Sequence, residues 1–201
     1  MKLFLILLAS YLIGSVPFAL VVGKVFYKTD VRQHGSGNLG GGNTGRVLGK
    51  KAGIAVMALD LLKVSFVVLL AKITCTGDLA VACCALAAAA GHCWPVFARF
   101  KGGKAVATLY GFAFGLLAVL GYNPLIFFLP LLIFLTVLYT TKIISLSSMI
   151  SAAAVTLYSF LAGHPLPVSL AFVIFTLLIV VRHIPNIRRM AEGRENKIKW
   201  M

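Results

Sequence analysis

Apolar residues run through this chain in long blocks separated by short polar ones. Seven blocks read as membrane-spanning helices: about 3–23, 53–73, 79–98, 104–121, 124–141, 144–163 and 166–183. Each is close to the ~20 residues that a bilayer core demands. Pro124, Pro165 and Pro167 fall at starts and turns, where proline is tolerated, whereas Pro130 lies inside the fifth block and predicts a kink there. Connections after the second block are short, so those helices are expected as antiparallel neighbours with no room for a soluble domain. The expected architecture is one all-α integral membrane domain over residues 1–201. The first block opens like a signal peptide, with Lys2, an apolar stretch and small residues. Its apolar run continues through Phe26, however, beyond the ~7–15 residues of such a region, and it reads as a retained first helix.

Charge gives this pattern an orientation. With seven spans, sixteen of the nineteen Lys and Arg residues fall on one side: Lys24 to Lys51, Arg99 to Lys104, Lys142, and the tail from Arg182 to Lys199. The other side receives only Lys2 and Lys72, and Lys63 lies within a span. Positive residues stay inside, so the N-terminus is expected outside and the C-terminus in the cytoplasm. Composition agrees with a membrane protein: 60% of residues are hydrophobic and the mean hydropathy is +0.98, against ~45–50% apolar in soluble domains. The net charge of +14 points to anionic lipid head groups or anionic substrates. Nucleic acid is excluded as a partner, because the aromatics sit in the apolar runs rather than among the cations. Five scattered acids make an all-carboxylate metal site improbable, and the four cysteines show no paired C-x-x-C units, so no metal is expected.

The polar motifs gather on the cationic side. Between residues 35 and 45, six of eleven positions are glycine, and Arg46 closes the run. Such a segment can expose successive N–H groups as an anion nest, with Ser36, Asn38 and Asn43 as neutral donors and the guanidinium as a phosphate fork. A flexible linker is the alternative. The G-x-G-x-x-G at Gly35, Gly37 and Gly40 is not a dinucleotide fingerprint, since membrane helices flank it instead of strands. Lys101-Gly102-Gly103-Lys104 lacks the spacing of a nucleotide P-loop. It reads as a turn opening the fourth helix, whose N-terminus favours an anion. Asp60 and Lys63 share one helix face inside the second span, where charge is costly. They read either as a structural ion pair or as part of a site. His92 reads as a hydrogen-bonded structural residue. The tail around Asn186, Arg189, Gly193 and Glu195 is more specific than a lipid anchor requires.

Together these stretches resemble the bacterial acyl-phosphate-dependent glycerol-3-phosphate acyltransferases, the PlsY family. The resemblance is carried by Ser36-Gly-Asn38-x-Gly40-x-x-Asn43-x-x-Arg46, Asp60-x-x-Lys63 and Gly91-His92-x-x-Pro95-Val-Phe. It continues through Phe100-Lys-Gly-Gly-Lys104-x-Val-Ala-Thr108, and Arg182-His183-x-x-Asn186-Ile-x-Arg189 followed by Gly193-x-Glu195. Departures are small: Gly42 stands where Thr or Ala is usual, Ala105 where Gly is usual, and Ile184-Pro185 in place of a more polar pair.

The resemblance implies a multi-pass enzyme of the bacterial inner membrane that uses no cofactor and no metal. It would acylate glycerol-3-phosphate from acyl phosphate at the cytoplasmic face, the first acylation of phospholipid synthesis. It implies catalytic roles for Lys104, His183 and Asn186. Substrate binding would fall to Ser36, Gly37, Asn38, Gly40, Gly41, Gly42, Asn43, Arg46, Lys50, Gly102, Gly103, Thr108, Ser145, Arg189 and Glu195, with Asp60, Lys63 and His92 in support. The partners would be acyl phosphate, glycerol-3-phosphate and membrane lipids. No histidine has an aspartate five positions on, so the H-x-x-x-x-D acyltransferase pair is missing. The hydroxyl would be activated by His183 or, preferably, by a substrate phosphate oxygen. Rival classes are a phosphate or organic-phosphate transporter and a non-enzymatic membrane scaffold. The nearly featureless outer loops argue against transport.

Overall fold

The computed structural model describes residues 2–75 and 77–198; Lys199, counted among the cations above, lies outside them. Among the described residues the chain is helical, with ten α-helices and two short 3-10 turns. The helices are α1 (Lys2–Gly14), α2 (Phe18–Tyr27), α3 (Gly41–Leu48), α4 (Lys50–Thr74), α5 (Asp78–Cys93), α6 (Val106–Leu120), α7 (Leu125–Thr141), α8 (Ile144–Leu161), α9 (Leu166–Arg182) and α10 (Ile184–Ala191).

All seven apolar blocks appear as helix, but they differ in length. The stretch Lys2–Tyr27, α4, α5 with its following turn, and α8 are each long and apolar enough to cross a membrane. Helix α9 meets the test only joined to α10, from which it is bent by 56°. Helices α6 and α7 are apolar but shorter, at 15 and 17 residues. Left-handed residues set their ends: Ala105 (φ 61°) before α6, Gly121 (φ 71°) after it, and Lys142 (φ 61°) after α7. Helix α7 runs unbroken through Pro130, whose carbonyl accepts the Tyr110 hydroxyl at 3.0 Å.

Large apolar side chains fall into two populations. Val64, Val67 and Val68 of α4, Phe112 and Leu116 of α6, and Phe172 and Phe175 of α9 are fully buried in one core. The Phe112 ring lies 5.0 Å from Phe172 and 5.6 Å from Phe175, centroid to centroid. Phe4, Phe66, Ile73, Leu157 and Leu177 instead face outward, as helices do whose surroundings are hydrocarbon. Small residues bring the helices close. A methyl on Gly14 would lie 2.0 Å from the Ala88 carbonyl oxygen, and one on Gly111 would lie 2.3 Å from that of Leu61. These are the α1–α5 and α4–α6 crossings, and small residues at contacts are what membrane helices use in place of a hydrophobic drive between them.

The first block is broken at Ser15–Pro17. Proline has no N–H and its ring opposes a continuous helix, so α1 stops and α2 restarts at Phe18. The break leaves the Val16 carbonyl free to accept from the buried Lys63 ammonium at 3.0 Å.

Candidate active site

The glycine-rich segment is an ordered cradle rather than a linker. Only Gly35 (φ 60°) and Gly37 (φ 69°) use the left-handed region within it. From Gly41 onward the glycines form α3, and they are small for a different reason. A methyl on Gly41 would meet the Gly53 carbonyl at 2.6 Å, and one on Gly53 would meet Gly45 Cα at 2.7 Å, so α3 crosses α4 backbone to backbone. Asn43 is buried and staples the loop. Its Oδ1 accepts from the Ser36 N–H (2.7 Å) and hydroxyl (3.2 Å), and its Nδ2 donates to the carbonyls of Val31 (2.9 Å) and His34 (3.2 Å). Gly40 is the extended N-cap, so the first amides of α3, from Gly41, Gly42 and Asn43, have no partner within their own helix. An amide cluster at a helix N-terminus attracts an anion. Asn38 is half-buried beside this end, while Arg46 and Lys50 sit on the exposed side of α3 and the start of α4.

The second half of the site is built by the turn before α6 and the chain after α9. Arg182, at the end of α9, donates from Nε to the Gly103 carbonyl (3.0 Å) and from a terminal nitrogen to the Gly102 carbonyl (3.1 Å). Its guanidinium also lies 5.7 Å from the Trp94 ring centroid. The clamped turn delivers Lys104, whose ammonium donates to Asn186 Oδ1. Asn186 in turn donates to Glu195 Oε1 at 2.5 Å. Glu195 also accepts from Ser145 Oγ (2.9 Å) and from Arg189 Nε (2.8 Å, at Oε2). This doubling back depends on Gly193 (φ 66°), which ends α10 in the left-handed region that non-glycine residues avoid. His183 sits in the bend between α9 and α10, and its Nδ1 lies 2.8 Å from the Ile179 carbonyl. A carbonyl only accepts, so Nδ1 carries hydrogen and Nε2 of the neutral ring keeps its lone pair.

Electrostatics follow the geometry. Burial pushes Lys104 down to about 8, helped by the positive charges of Arg189, Arg182 and Arg46 and partly opposed by Glu195. Burial would raise the Glu195 carboxyl, but hydrogen bonds from Asn186, Arg189 and Ser145 outweigh it and hold the group below the usual carboxylate range. Arg46 of α3 therefore acts on Lys104, and a methyl on Gly42 would come within 3.9 Å of Ile144 at the start of α8. The two halves thus belong to one polar end of the helix bundle.

Not every expected binding residue faces this opening. Thr108 is fully buried and donates to the Ala105 carbonyl at 2.8 Å, which holds the left-handed turn at Ala105, the position where the resemblance leads one to expect glycine. Asp60, Lys63 and His92 form a separate buried cluster beneath the turn. Arg182, a positive-inside charge and the first residue of the Arg182-His183-x-x-Asn186 motif but not among the expected site residues, clamps the turn; its adjacency to His183 in that motif is the signal for this role. An open, mostly apolar groove of about 600 Å³ runs between Ile143, Leu146, Ile187 and Met190, with Glu195 and Lys197 also lining it.

These features define a helical integral-membrane protein with a basic, amide-rich site at one end, suited to a phosphorylated ligand. The chain belongs to the glycerol-3-phosphate acyltransferase family, whose profile matches residues 4–193. It is 43% identical over 196 residues to the glycerol-3-phosphate acyltransferase of Geobacillus kaustophilus, covering 98% of this chain and 96% of that one. It is 44% identical over 197 residues to that of Bacillus cytotoxicus, with the same coverage. Its fold matches crystal structures of PlsY (YgiH), described as an integral membrane glycerol 3-phosphate acyltransferase. The TM-score is 0.91 for the glycerol 3-phosphate form and 0.89 for the lysophosphatidic acid form. In both, sequence identity is 34%, covering 99% of this chain and 96% of the other.

Proposed function

We propose that this chain transfers a fatty acyl group from acyl phosphate to the primary hydroxyl of sn-glycerol-3-phosphate, giving 1-acyl-glycerol-3-phosphate and inorganic phosphate. The observation that carries this reading is the convergence of Lys104, Asn186, Arg189, Ser145 and Glu195 opposite the α3 amide cradle. Two phosphates need two anion subsites, and one end of the bundle offers an amide cradle and a cation cluster. The hydroxyl oxygen attacks the acyl carbonyl, the bond from carbonyl carbon to bridging phosphate oxygen breaks, and the hydroxyl proton passes to a phosphate oxygen. An acyl phosphate is a mixed anhydride with a good leaving group. Charge stabilisation at the leaving phosphate, with Lys104 beside it, and at the carbonyl oxygen supplies the largest part of the acceleration, and positioning supplies much of the rest. His183 and Asn186 orient glycerol-3-phosphate, and a substrate phosphate acts as the base. The acyl chain lies in the mostly apolar groove beside Glu195. Seven helical spans, with the N-terminus outside and the site facing the cytoplasm, agree with the one-sided cations. A reporter fused to either end of the chain would contradict that topology if both ends read out on the same side.

The deciding experiment mixes purified protein, acyl phosphate and glycerol-3-phosphate with EDTA present. Lysophosphatidic acid and stoichiometric phosphate are expected; their absence would falsify the reading. Uptake of glycerol-3-phosphate by proteoliposomes without acyl turnover would favour a transporter instead.

A further inference from the structure

Beneath the Lys101–Lys104 turn lies a cluster of charge for which the acyl-transfer chemistry has no direct use. The Lys63 ammonium is held by Asp60 Oδ1 at 2.7 Å, by the Val16 carbonyl at 3.0 Å and by His92 Nδ1 at 3.1 Å. These three acceptors use all three of its protons, so Nδ1 of His92 is an acceptor and the neutral ring carries its hydrogen on Nε2. All three side chains are buried, at 1%, 6% and 6% exposure for Asp60, Lys63 and His92. Apolar residues of the same volume are commonly as stable as a buried ion pair, so stability alone is a weak reason for this one.

The ring's other face explains it. A methyl on Gly103 would lie 2.0 Å from His92 Nε2, and one on Gly102 would lie 2.1 Å from the His92 carbonyl oxygen. That same carbonyl accepts the Gly103 N–H at 2.9 Å. Both glycines are therefore glycine because His92 occupies the space a side chain would need. Arg182 grips the opposite side of the turn through its two carbonyls. The next residue is Lys104.

We propose that His92 is a positioning residue: its ring and carbonyl form the template on which the Gly102–Gly103 turn sets Lys104, and the Asp60–Lys63 pair locks that ring in place. This rests on the reading of Lys104 as part of the acyl-transfer site. A displacement of about 1 Å at a catalytic group costs on the order of 100-fold in rate.

The test uses full-length enzyme in lipid nanodiscs, with phosphate release and lysophosphatidic acid followed together. Turnover by the wild type secures the underlying reading, and its absence would defeat that reading rather than the template. Gly103→Ala keeps Asp60, Lys63 and His92 unsubstituted but drives a methyl into the His92 ring. It is expected to lower kcat on the order of 10- to 100-fold while the KM for glycerol-3-phosphate stays within about threefold. His92→Asn is shorter yet keeps a polar partner for Lys63. Combined with Gly103→Ala it makes room for the methyl, and the double variant is expected to recover about tenfold in kcat over Gly103→Ala alone, a coupling that independent defects do not show. Unchanged kcat in Gly103→Ala overturns the proposal, as does a double variant no faster than Gly103→Ala. Should the double variant not fold, the kcat of Gly103→Ala decides on its own.

Discussion

Lys104 is where structure and rate should be most directly linked. Its ammonium is only partly exposed, hydrogen-bonded to Asn186 and surrounded by Arg189, Arg182 and Arg46. Burial and these charges bring it down to about 8 from 10.5. In the substrate-free enzyme about nine in ten molecules carry the charge at pH 7, and about one in ten at pH 9. If the charged form is the active one, kcat/KM falls along an alkaline limb with an apparent midpoint near 8, losing about tenfold between pH 7 and pH 9. A bound phosphate restores the charge, so the limb of kcat lies at higher pH than that of kcat/KM. Lys104→Arg is the matching perturbation. A guanidinium donates to Asn186 as well but stays protonated throughout this range, so whatever activity the variant retains should show no limb. Phosphate release measured from pH 6 to 10 at saturating and limiting glycerol-3-phosphate reads both profiles. A flat wild-type profile to pH 9.5, or the same limb in Lys104→Arg, refutes the assignment. Stability moves in the opposite direction: the folded group binds its proton more weakly than the unfolded one, so the destabilisation from its burial is constant below about pH 7 and is relieved as pH rises between about 8 and 10.5.

Two further perturbations separate contact from support. Glu195→Gln exchanges a carboxylate that accepts from Asn186, Arg189 and Ser145 for an amide that cannot satisfy all three. It should lower stability by about 2–3 kcal/mol, with the half-exposed Arg189 limiting the cost. Because the folded carboxyl lies below its unfolded value of 4.5, this contribution is present above pH 4.5 and fades as pH falls through the folded pKa. Acid titration of wild type and variant should therefore converge as pH falls below 4.5 and through the folded pKa, and a constant gap contradicts the ion-pair account. Asn43→Ala removes the staple joining Val31, His34 and Ser36. A loss of about 2–4 kcal/mol, read as a lower melting temperature, marks a scaffold; reduced phosphate affinity at unchanged melting temperature marks a direct contact.

The helices were legible because hydropathy blocks and proline positions are local properties. The seven blocks appear, and α6 and α7 end within two residues of the blocks at 104–121 and 124–141; the left-handed turns that set those ends fall at Ala105, Gly121 and Lys142, of which only Gly121 advertises that conformation in its residue type. The glycine run was readable as a loop, yet its composition mixes two causes. Gly35 and Gly37 supply backbone freedom, whereas Gly41 and Gly53 supply closeness between α3 and α4, which depends on a partner helix that no local pattern names. Likewise Asp60-x-x-Lys63 announced a shared face but not its third member. His92 joins from α5, 29 positions beyond Lys63, and the Val16 carbonyl at the proline break accepts from the same ammonium, neither of which a local pattern names.

That dependence explains how the site is divided. The groups proposed to meet phosphate sit on turns: the α3 N-terminus, the Gly102–Gly103 turn and the Gly193 return. Turns alone are soft. Each of these is held from beneath by an acceptor or donor on a packed helix: Asn43 for the cradle, His92 and Arg182 for the glycine pair, and Glu195 reaching Ser145 of α8 for the tail. Asn186 links the last two, because its carbonyl faces Lys104 only while its amide nitrogen faces Glu195. If Glu195 were neutralised, the Asn186 amide nitrogen would lose its charged acceptor, and only the Lys104 ammonium would still fix which end of the amide faces it. The carboxylate thus orients an amide, the amide holds an ammonium, and the ammonium is left with donors to spare for a phosphate oxygen.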